Sequence, residues 1–183
     1  MTWWHERSSP LIFACVNGRV AVATLLLDRG ADPERRTQSG YTPLHAACFG
    51  GNVEAVRLFL DRGGAETSTA LDVACERGHV EVATLLLDRG ATLEPLHTGC
   101  HPTPLHTACQ AGRVGVATLL LDRGADLEKP QQGGRTPLWM ACGSGQVETA
   151  RLCLDRGANV HSVAEYGATP LYAACSVASA SRR

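Results

Sequence analysis

Two short sequence markers recur through this 183-residue chain with nearly the same spacing. Asp-Arg-Gly occurs five times, and its glycines are separated by 33, 27, 34 and 33 residues: Gly30, Gly63, Gly90, Gly124 and Gly157. Thr-Pro-Leu and its degenerate copies keep the same rhythm, with the leucines Leu11, Leu44, Leu71, Leu105, Leu138 and Leu171. A period in this range indicates an array of stacked supersecondary units.

Each unit of the array is predicted to be a pair of short helices. Thr42 is a favourable N-cap, and Pro43 suits the first helical position, where no amide donor is required. We expect this helix to end at Gly51, and the aliphatic-rich second helix that follows to end at Gly63. One such pair cannot bury its apolar face alone, whereas stacked neighbours can form a continuous core.

Three segments carry a family resemblance: Tyr-Thr-Pro-Leu-His-Ala-Ala-Cys at 41–48, Gly-Asn-Val-Glu at 51–54 and Leu-Leu-Leu-Asp-Arg-Gly-Ala-Asp at 119–126. In sequence and in period they resemble the ankyrin repeat. The resemblance implies an all-α ankyrin-repeat solenoid of helix–turn–helix units with short β-hairpin fingers. The implied single array, 1–183, comprises repeats at 6–38, 39–66, 67–97, 98–131 and 132–164, with a partial sixth at 165–183.

The spacing of 27 marks a departure from the family pattern. Between Gly63 and Leu71 the chain is six residues shorter than in the neighbouring units. This stretch forms the projecting finger in ankyrin proteins, so we expect the finger after repeat two to be lost or reduced to a tight turn. Thr69 and Asp72 have capping-box spacing, which predicts that Thr69 caps the third repeat's first helix without the usual proline.

The two ends of the array also depart from the pattern. Trp3 and Trp4 either cap the open apolar end of the stack or belong to a poorly ordered terminus. The sixth repeat carries the first-helix motif at 169–175 and then a small, polar tail with no second helix. Because repeat arrays normally end in a polar-faced cap, this indicates a fragment, or a shortened gene model, of a longer ankyrin protein.

Six of the eight cysteines are in phase with the repeat, each four residues after the leucine of a first helix: Cys15, Cys48, Cys75, Cys109, Cys142 and Cys175. Packed helices lie about 8–10 Å apart, whereas a disulfide needs Cα atoms within roughly 7 Å. The spacing therefore predicts free thiols that fill the core as small hydrophobes. Free buried thiols suit a reducing compartment.

A cluster of His97, Cys100, His101, His106 and Cys109 could suggest a metal site. His106, however, belongs to the Thr-Pro-Leu-His motif, in which the resemblance implies structural hydrogen bonds, and Cys109 is expected in the core. We therefore predict no metal site. No nucleophile elbow, P-loop or dinucleotide fingerprint is present, so we predict neither a cofactor nor an enzymatic activity.

The resemblance implies that a partner binds along the concave face formed by finger tips and first helices. The matching positions are Gln38, Ser39, Tyr41, Phe49, Glu76, Arg77, Pro102, Gln110, Arg135, Ser144, Glu165 and Tyr166. Tyr41 and Phe49 are the first pair to test, because exposed aromatic and arginine side chains are favoured binding anchors. Trp139 and Tyr172 replace the motif's histidine and either join this surface or only fill space between fingers.

The composition restricts the partner class. A formal net charge of -1 gives no field to attract nucleic acid or an anionic membrane. The longest apolar run near the N-terminus, 11–16, is too short for a membrane span or a secretory signal, which favours an intracellular, cytoplasmic protein. We also expect a monomer. We expect a non-catalytic protein–protein interaction scaffold; the alternative is a substrate-targeting fragment of a larger enzyme, such as a kinase or a ubiquitin-ligase adaptor.

Overall fold

The computed structural model describes residues 9–63, 66–94 and 102–180. Within these ranges the regular structure is helical, with no strand. The helices are α1 (Pro10–Val16), α2 (Val20–Asp28), α3 (Pro43–Gly50), α4 (Val53–Asp61), α5 (Thr67–Arg77), α6 (Val80–Asp88), α7 (Pro104–Gln110), α8 (Val114–Asp122), α9 (Pro137–Gly143), α10 (Val147–Asp155) and α11 (Pro170–Ala180), with a 3-10 turn at Glu165–Gly167.

The chain divides into two compact units, and each is built in two helical layers. The first unit comprises Met1–Ala74 with Glu81–Ala91, and the second comprises Cys75–Val80 with Thr92–Arg183. In the first unit, α1 packs on α3 and α2 packs on α4. In the second, α7, α9 and α11 pack in succession, while α8 packs on α10. First helices thus contact first helices and second helices contact second helices, which confirms the stacked helix pairs.

The first helices begin where the threonine–proline motif predicts. The side chains of Thr103 and Thr136 each accept a hydrogen bond from the backbone N–H three residues later, at 3.4 and 3.3 Å, and proline follows each cap. The leucine after the proline is buried in the core in α1, α3, α7 and α9. Leu171 of α11 is instead 70% exposed, because none of the described helices packs against that side of α11.

The predicted N-cap at Thr69 is wrong. Helix α5 begins at Thr67, so Thr69 lies within its first turn. Other repeats have proline where this one has Ala70, and proline has no amide to donate. The Ala70 N–H donates to the Glu66 carbonyl at 3.1 Å, which lets the helix start earlier than in its neighbours.

The fingers are present as tight turns without strand pairing among the described residues. Three five-residue segments show the same turn, at 37–41, 131–135 and 164–168. In each, the backbone N–H of the first residue donates to the carbonyl oxygen of the fifth residue at 2.9–3.0 Å. The connection after α4 runs only from Arg62 to Glu66, whereas the connection after α2 runs from Arg29 to Thr42. The second connection is therefore the shorter one; residues 64 and 65 lie outside the described residues, and the loss or reduction of this finger stays a prediction.

The repeated Asp-Arg-Gly marker forms ion pairs between successive second helices. In the first unit Arg62 pairs with Asp28 and Arg89 with Asp61, and in the second unit Arg156 pairs with Asp122, each at 2.8 Å. The glycine that follows is left-handed, as at Gly124 with φ of 87°, and ends the helix. The marker therefore has two structural roles: its glycine ends the helix, and its charged residues pair with those of a neighbouring repeat.

We predict that each of these pairs contributes little. In a double-mutant cycle with Asp28→Ala and Arg62→Ala, the coupling free energy should be about 0.5 kcal/mol, because both side chains are partly exposed. Added salt should reduce it further. Urea unfolding provides the measurement. Arg29 is a matched control, since it has the same place in the first repeat but no carboxylate partner among the described residues; a cost for Arg29→Ala equal to that for Arg62→Ala would contradict the ion-pair account.

The in-phase cysteines are buried except at the last two positions. Four of them, Cys15, Cys48, Cys75 and Cys109, lie in the core as predicted, and none of the seven cysteines in the described ranges is in a disulfide. Cys142 is half-buried and Cys175 is exposed, so the prediction of burial is wrong for both. A second helix from the next repeat would cover Cys142, and none follows α11 within the described residues.

Candidate protein-binding surface

His106 fixes the backbone of the neighbouring finger in the second unit. Its ring has no exposed surface, and Nδ1 accepts a hydrogen bond from the Thr103 N–H at 3.2 Å. Nε2 donates to the carbonyl oxygen of Arg135 at 3.0 Å, and the same oxygen accepts from the Gln131 N–H. This confirms the structural role predicted for His106, and it places Arg135 at the base of the 131–135 finger.

The Arg135 side chain lies on an aromatic platform. Its guanidinium carbon is 4.7 Å from the centroid of the Trp139 ring, within the range of a cation–π contact. Among the described residues no carboxylate lies within ion-pair distance of this guanidinium, and Arg135 is exposed. The indole Nε1 of Trp139 is buried and has no acceptor within the described part of the chain. Trp139 therefore supports Arg135 as well as filling space between fingers.

The next finger presents a strained, exposed aromatic residue. The Glu165 N–H donates to the Gly133 carbonyl at 2.8 Å, which joins the tips of successive fingers. Tyr166 has a φ of 58°, in the left-handed region that bulky residues avoid, and its side chain is fully exposed. The equivalent position in the preceding finger is Gly133, with a φ of 85°. Backbone strain at an exposed aromatic residue points to function rather than to stability.

Two adjoining cavities surround these groups. One, of about 320 Å³, is lined by Trp139, Tyr166 and Tyr172, with small residues of the 164–168 finger. The other, of about 410 Å³, is more polar and is lined by Pro102, Gln131 and Gln132. Both include Gly133, Arg135 and Glu165. The surface formed by Pro102, Arg135, Trp139, Glu165, Tyr166 and Tyr172 is called the aromatic groove below.

The structure brings four of the predicted binding residues together in this groove: Pro102, Arg135, Glu165 and Tyr166. Glu76, Arg77 and Gln110 are exposed, and Ser144 is half-buried, but none of these lines either cavity. The groove also contains Trp139 and Tyr172, which the predicted binding set omitted. Their signal in the sequence was the replacement of the motif's histidine by an aromatic residue in repeats five and six.

The first unit contains the other predicted positions. Tyr41 contacts His45 edge-to-face, with ring centroids 5.6 Å apart, and His45 Nε2 lies 2.9 Å from Thr69 Oγ1 of the next repeat. Gln38 and Ser39 are exposed at the finger tip, and Phe49 is half-buried. Arg36 pairs with Glu66 beside them. Tyr41 is thus held by the structural histidine and remains partly exposed.

Several predicted features lie outside the described residues. These are Trp3 and Trp4, the His97, Cys100 and His101 cluster, and the last three residues of the tail. In the ranges that are described, no three His, Cys, Asp or Glu side chains are grouped closely enough to hold a metal ion. None of the helices in these ranges is long and apolar enough to cross a membrane.

Comparison with known proteins agrees with the repeat architecture. A family model described as ankyrin repeats (3 copies) matches residues 11–97, 66–131 and 105–180. Among solved structures, the human ASB11 ankyrin repeat domain is similar, with 29% identity and a TM-score of 0.80, over 91% of this chain and 76% of that chain. No curated protein matches. The helix pairs, the turn fingers and the match along most of the sequence show that this chain belongs to the ankyrin-repeat family, whose arrays generally serve as protein–protein interaction modules.

Proposed function

We propose that this protein is a non-catalytic scaffold that binds a partner protein through the aromatic groove of its second unit. The observation that carries the proposal is the convergence of an aromatic-supported guanidinium and a fully exposed, left-handed tyrosine on the same pair of cavities. Arginine and tyrosine are the residues that most often supply binding energy at protein interfaces.

The groove offers both apolar and polar contacts. Trp139, Tyr166 and Tyr172 provide rigid aromatic surface that loses little side-chain entropy on binding. Arg135 is held over the Trp139 ring, so its donors are ordered before a partner arrives. Glu165 supplies hydrogen-bond acceptors on the other side of Gly133 from Arg135. A Cβ atom placed on Gly133 would lie 3.7 Å from Nε of Arg135 and 3.7 Å from Oε2 of Glu165. Such a surface suits a mixed apolar and charged segment of another protein.

We expect Arg135→Ala and Tyr166→Gly to weaken partner binding by about tenfold or more each, the range of an interface hot spot. Tyr166→Gly should not reduce stability, because glycine adopts the left-handed conformation without strain. Partners are first identified by affinity capture with mass spectrometry, and the affinity of the purified pair is then measured by calorimetry.

Arg151→Ala is the matched control for Arg135→Ala. Arg151 lies in the same unit, is exposed, and belongs to the second-helix layer away from the groove. Its removal should leave the affinity unchanged. If Arg151→Ala and Arg135→Ala reduce the affinity equally, or if neither does, the groove is not the binding surface.

The predicted positions of the first unit form a separate part of the proposal. Tyr41→Ala combined with Phe49→Ala should weaken the same partner without unfolding the array if the partner also contacts that unit. A combined variant that binds normally would confine the partner to the second unit.

The targeting of a larger enzyme's substrate stays a prediction, and sequencing the complete transcript would test it. The expectation of a cytoplasmic monomer is tested by light scattering and by imaging the tagged protein.

A further inference from the structure

Two buried thiols from different repeats are in contact in the second unit. The Sγ atoms of Cys109, in α7, and Cys153, in α10, are 3.7 Å apart. Neither residue has any exposed surface. Cys153 is one of the two cysteines that do not follow the repeat period, so its contact with an in-phase cysteine is not implied by the period. The pair connects a first helix of repeat four to the second helix of repeat five.

The pair is buried beside a second polar group of α10. Thr149, one turn earlier on the buried face of α10, is also buried, and its hydroxyl has no partner in the described ranges. The hydrogen bond to Cys153, followed by burial, raises the pKa of Cys109. The same bond lowers the pKa of Cys153. Either sulfur can donate in this contact, so the two thiols form one coupled pair.

We propose that Cys109 and Cys153 are an oxidation site, at which hydrogen peroxide converts the two thiols into an intrachain disulfide that joins repeats four and five. The inference rests on the sulfur contact and on burial, and it does not depend on the proposed binding function. Cys109 has the in-phase position of a core residue, and the out-of-phase Cys153 places a second sulfur 3.7 Å from it.

The chemistry balances with one peroxide per pair. The Cys153 sulfur attacks one peroxide oxygen, the O–O bond breaks, and the departing hydroxide takes up the Cys153 proton as water, which leaves a sulfenic acid. The Cys109 sulfur then attacks the sulfenic sulfur, the S–O bond breaks, and the leaving hydroxide takes the Cys109 proton as a second water. Two thiols and one peroxide give one disulfide and two waters. The sulfurs must approach from 3.7 Å to about 2.05 Å.

Local opening of α10 must precede the first step, because neither thiol has exposed surface. We therefore expect slow oxidation, over minutes to hours, and faster oxidation in urea below the unfolding transition. Cys142 is the competing thiol. It lies near enough to Cys153 for the two to interact electrostatically, but no hydrogen bond joins them in the described structure.

The test is to treat the native protein with hydrogen peroxide, stop the reaction with catalase, and alkylate the free thiols under denaturing conditions. The full-length protein carries Cys100→Ser and Cys175→Ser, so that the exposed Cys175 cannot cross-link molecules. Trypsin separates the three relevant thiols, since Cys109, Cys142 and Cys153 fall in the peptides 90–113, 136–151 and 152–156. We expect a linked pair of peptides, 90–113 with 152–156, and the loss of two alkylated thiols.

Matched variants separate this result from general oxidation. Cys142→Ala should leave the link intact, and Cys153→Ala should abolish it while Cys109 stays alkylatable. The oxidised protein should melt about 5 °C or more above the reduced form, because the bridge closes a loop of 44 residues, and dithiothreitol should reverse the shift. The proposal is overturned if both thiols remain free in the native protein, if the link forms only after unfolding, or if Cys153 joins Cys142 instead.

Discussion

Replacing His106 with alanine should destabilise the protein by about 3 kcal/mol. The imidazole satisfies two buried backbone groups, the Thr103 N–H and the Arg135 carbonyl, at 3.2 and 3.0 Å. Alanine leaves the Thr103 N–H without this acceptor, at a cost of about 1–3 kcal/mol for a buried group, and leaves the Arg135 carbonyl with only the Gln131 N–H as donor. It also leaves a cavity. Urea unfolding followed by circular dichroism measures the loss.

The stability of the wild-type protein should also depend on the protonation of His106. Burial lowers the pKa of this imidazole, against opposing contributions from backbone hydrogen bonds and Glu94. Nδ1 of His106 accepts a hydrogen bond from the Thr103 N–H. Protonation would make Nδ1 a donor that faces this N–H, and the hydrogen bond would be lost. Because the folded-state pKa lies below the unfolded value of 6.5, the unfolded chain takes up the proton first. Stability should be full above pH 6.5 and should decline as the pH falls toward the folded-state pKa.

His161→Ala is the control, because the side chain of His161 is exposed and its removal should change stability by less than about 0.5 kcal/mol. His106→Ala should also flatten the decline of stability below pH 6.5, leaving the part due to His45, whose pKa is lowered by the same burial. A His106→Ala protein with the wild-type pH profile would show that the imidazole is not buried in its neutral form.

The local rules of the repeat could be predicted from sequence because each depends on a few neighbouring residues. A threonine followed by proline begins α7 and α9, and a left-handed glycine such as Gly51 ends α3, as the sequence predicts. The histidine of the motif makes structural hydrogen bonds, as the resemblance implies. These features could be predicted because the local conformational preference and the burial of one leucine per repeat favour the same structure.

Features that depend on contacts between repeats could not be predicted in the same way. The earlier start of α5 follows from the loss of one proline, but its extent depends on whether Glu66 can accept from Ala70. The contact of Cys153 with Cys109 crosses from one repeat to the next. For the groove, the sequence predicted four residues, Pro102, Arg135, Glu165 and Tyr166. The stacking of Arg135 on Trp139 required knowledge of both side-chain conformations.

Replacing Asp72 with asparagine should stabilise the protein at pH 8 by about 2 kcal/mol. Asp72 occupies the position of the motif's histidine in Thr-Ala-Leu-Asp, and one of its carboxylate oxygens is buried without a hydrogen-bond partner in the described ranges. Burial raises the pKa of this carboxyl from 3.8 to about 7. A shift of this size corresponds to about 4 kcal/mol of lost stability, which we halve because the side chain keeps some exposure to solvent.

The pH dependence identifies the cause of this gain. A carboxyl with a raised pKa binds its proton more tightly in the folded state, so the wild-type protein loses stability as the pH rises from about 4 to about 7. Asp72→Asn removes a charge that exists only above this range, and its advantage in urea unfolding should therefore be near zero at pH 4.5 and largest at pH 8. Asp155→Asn, at an exposed helix end, is the control and should change stability by less than about 0.5 kcal/mol. An equal gain from Asp72→Asn at both pH values would mean that improved packing, and not the buried charge, accounts for it.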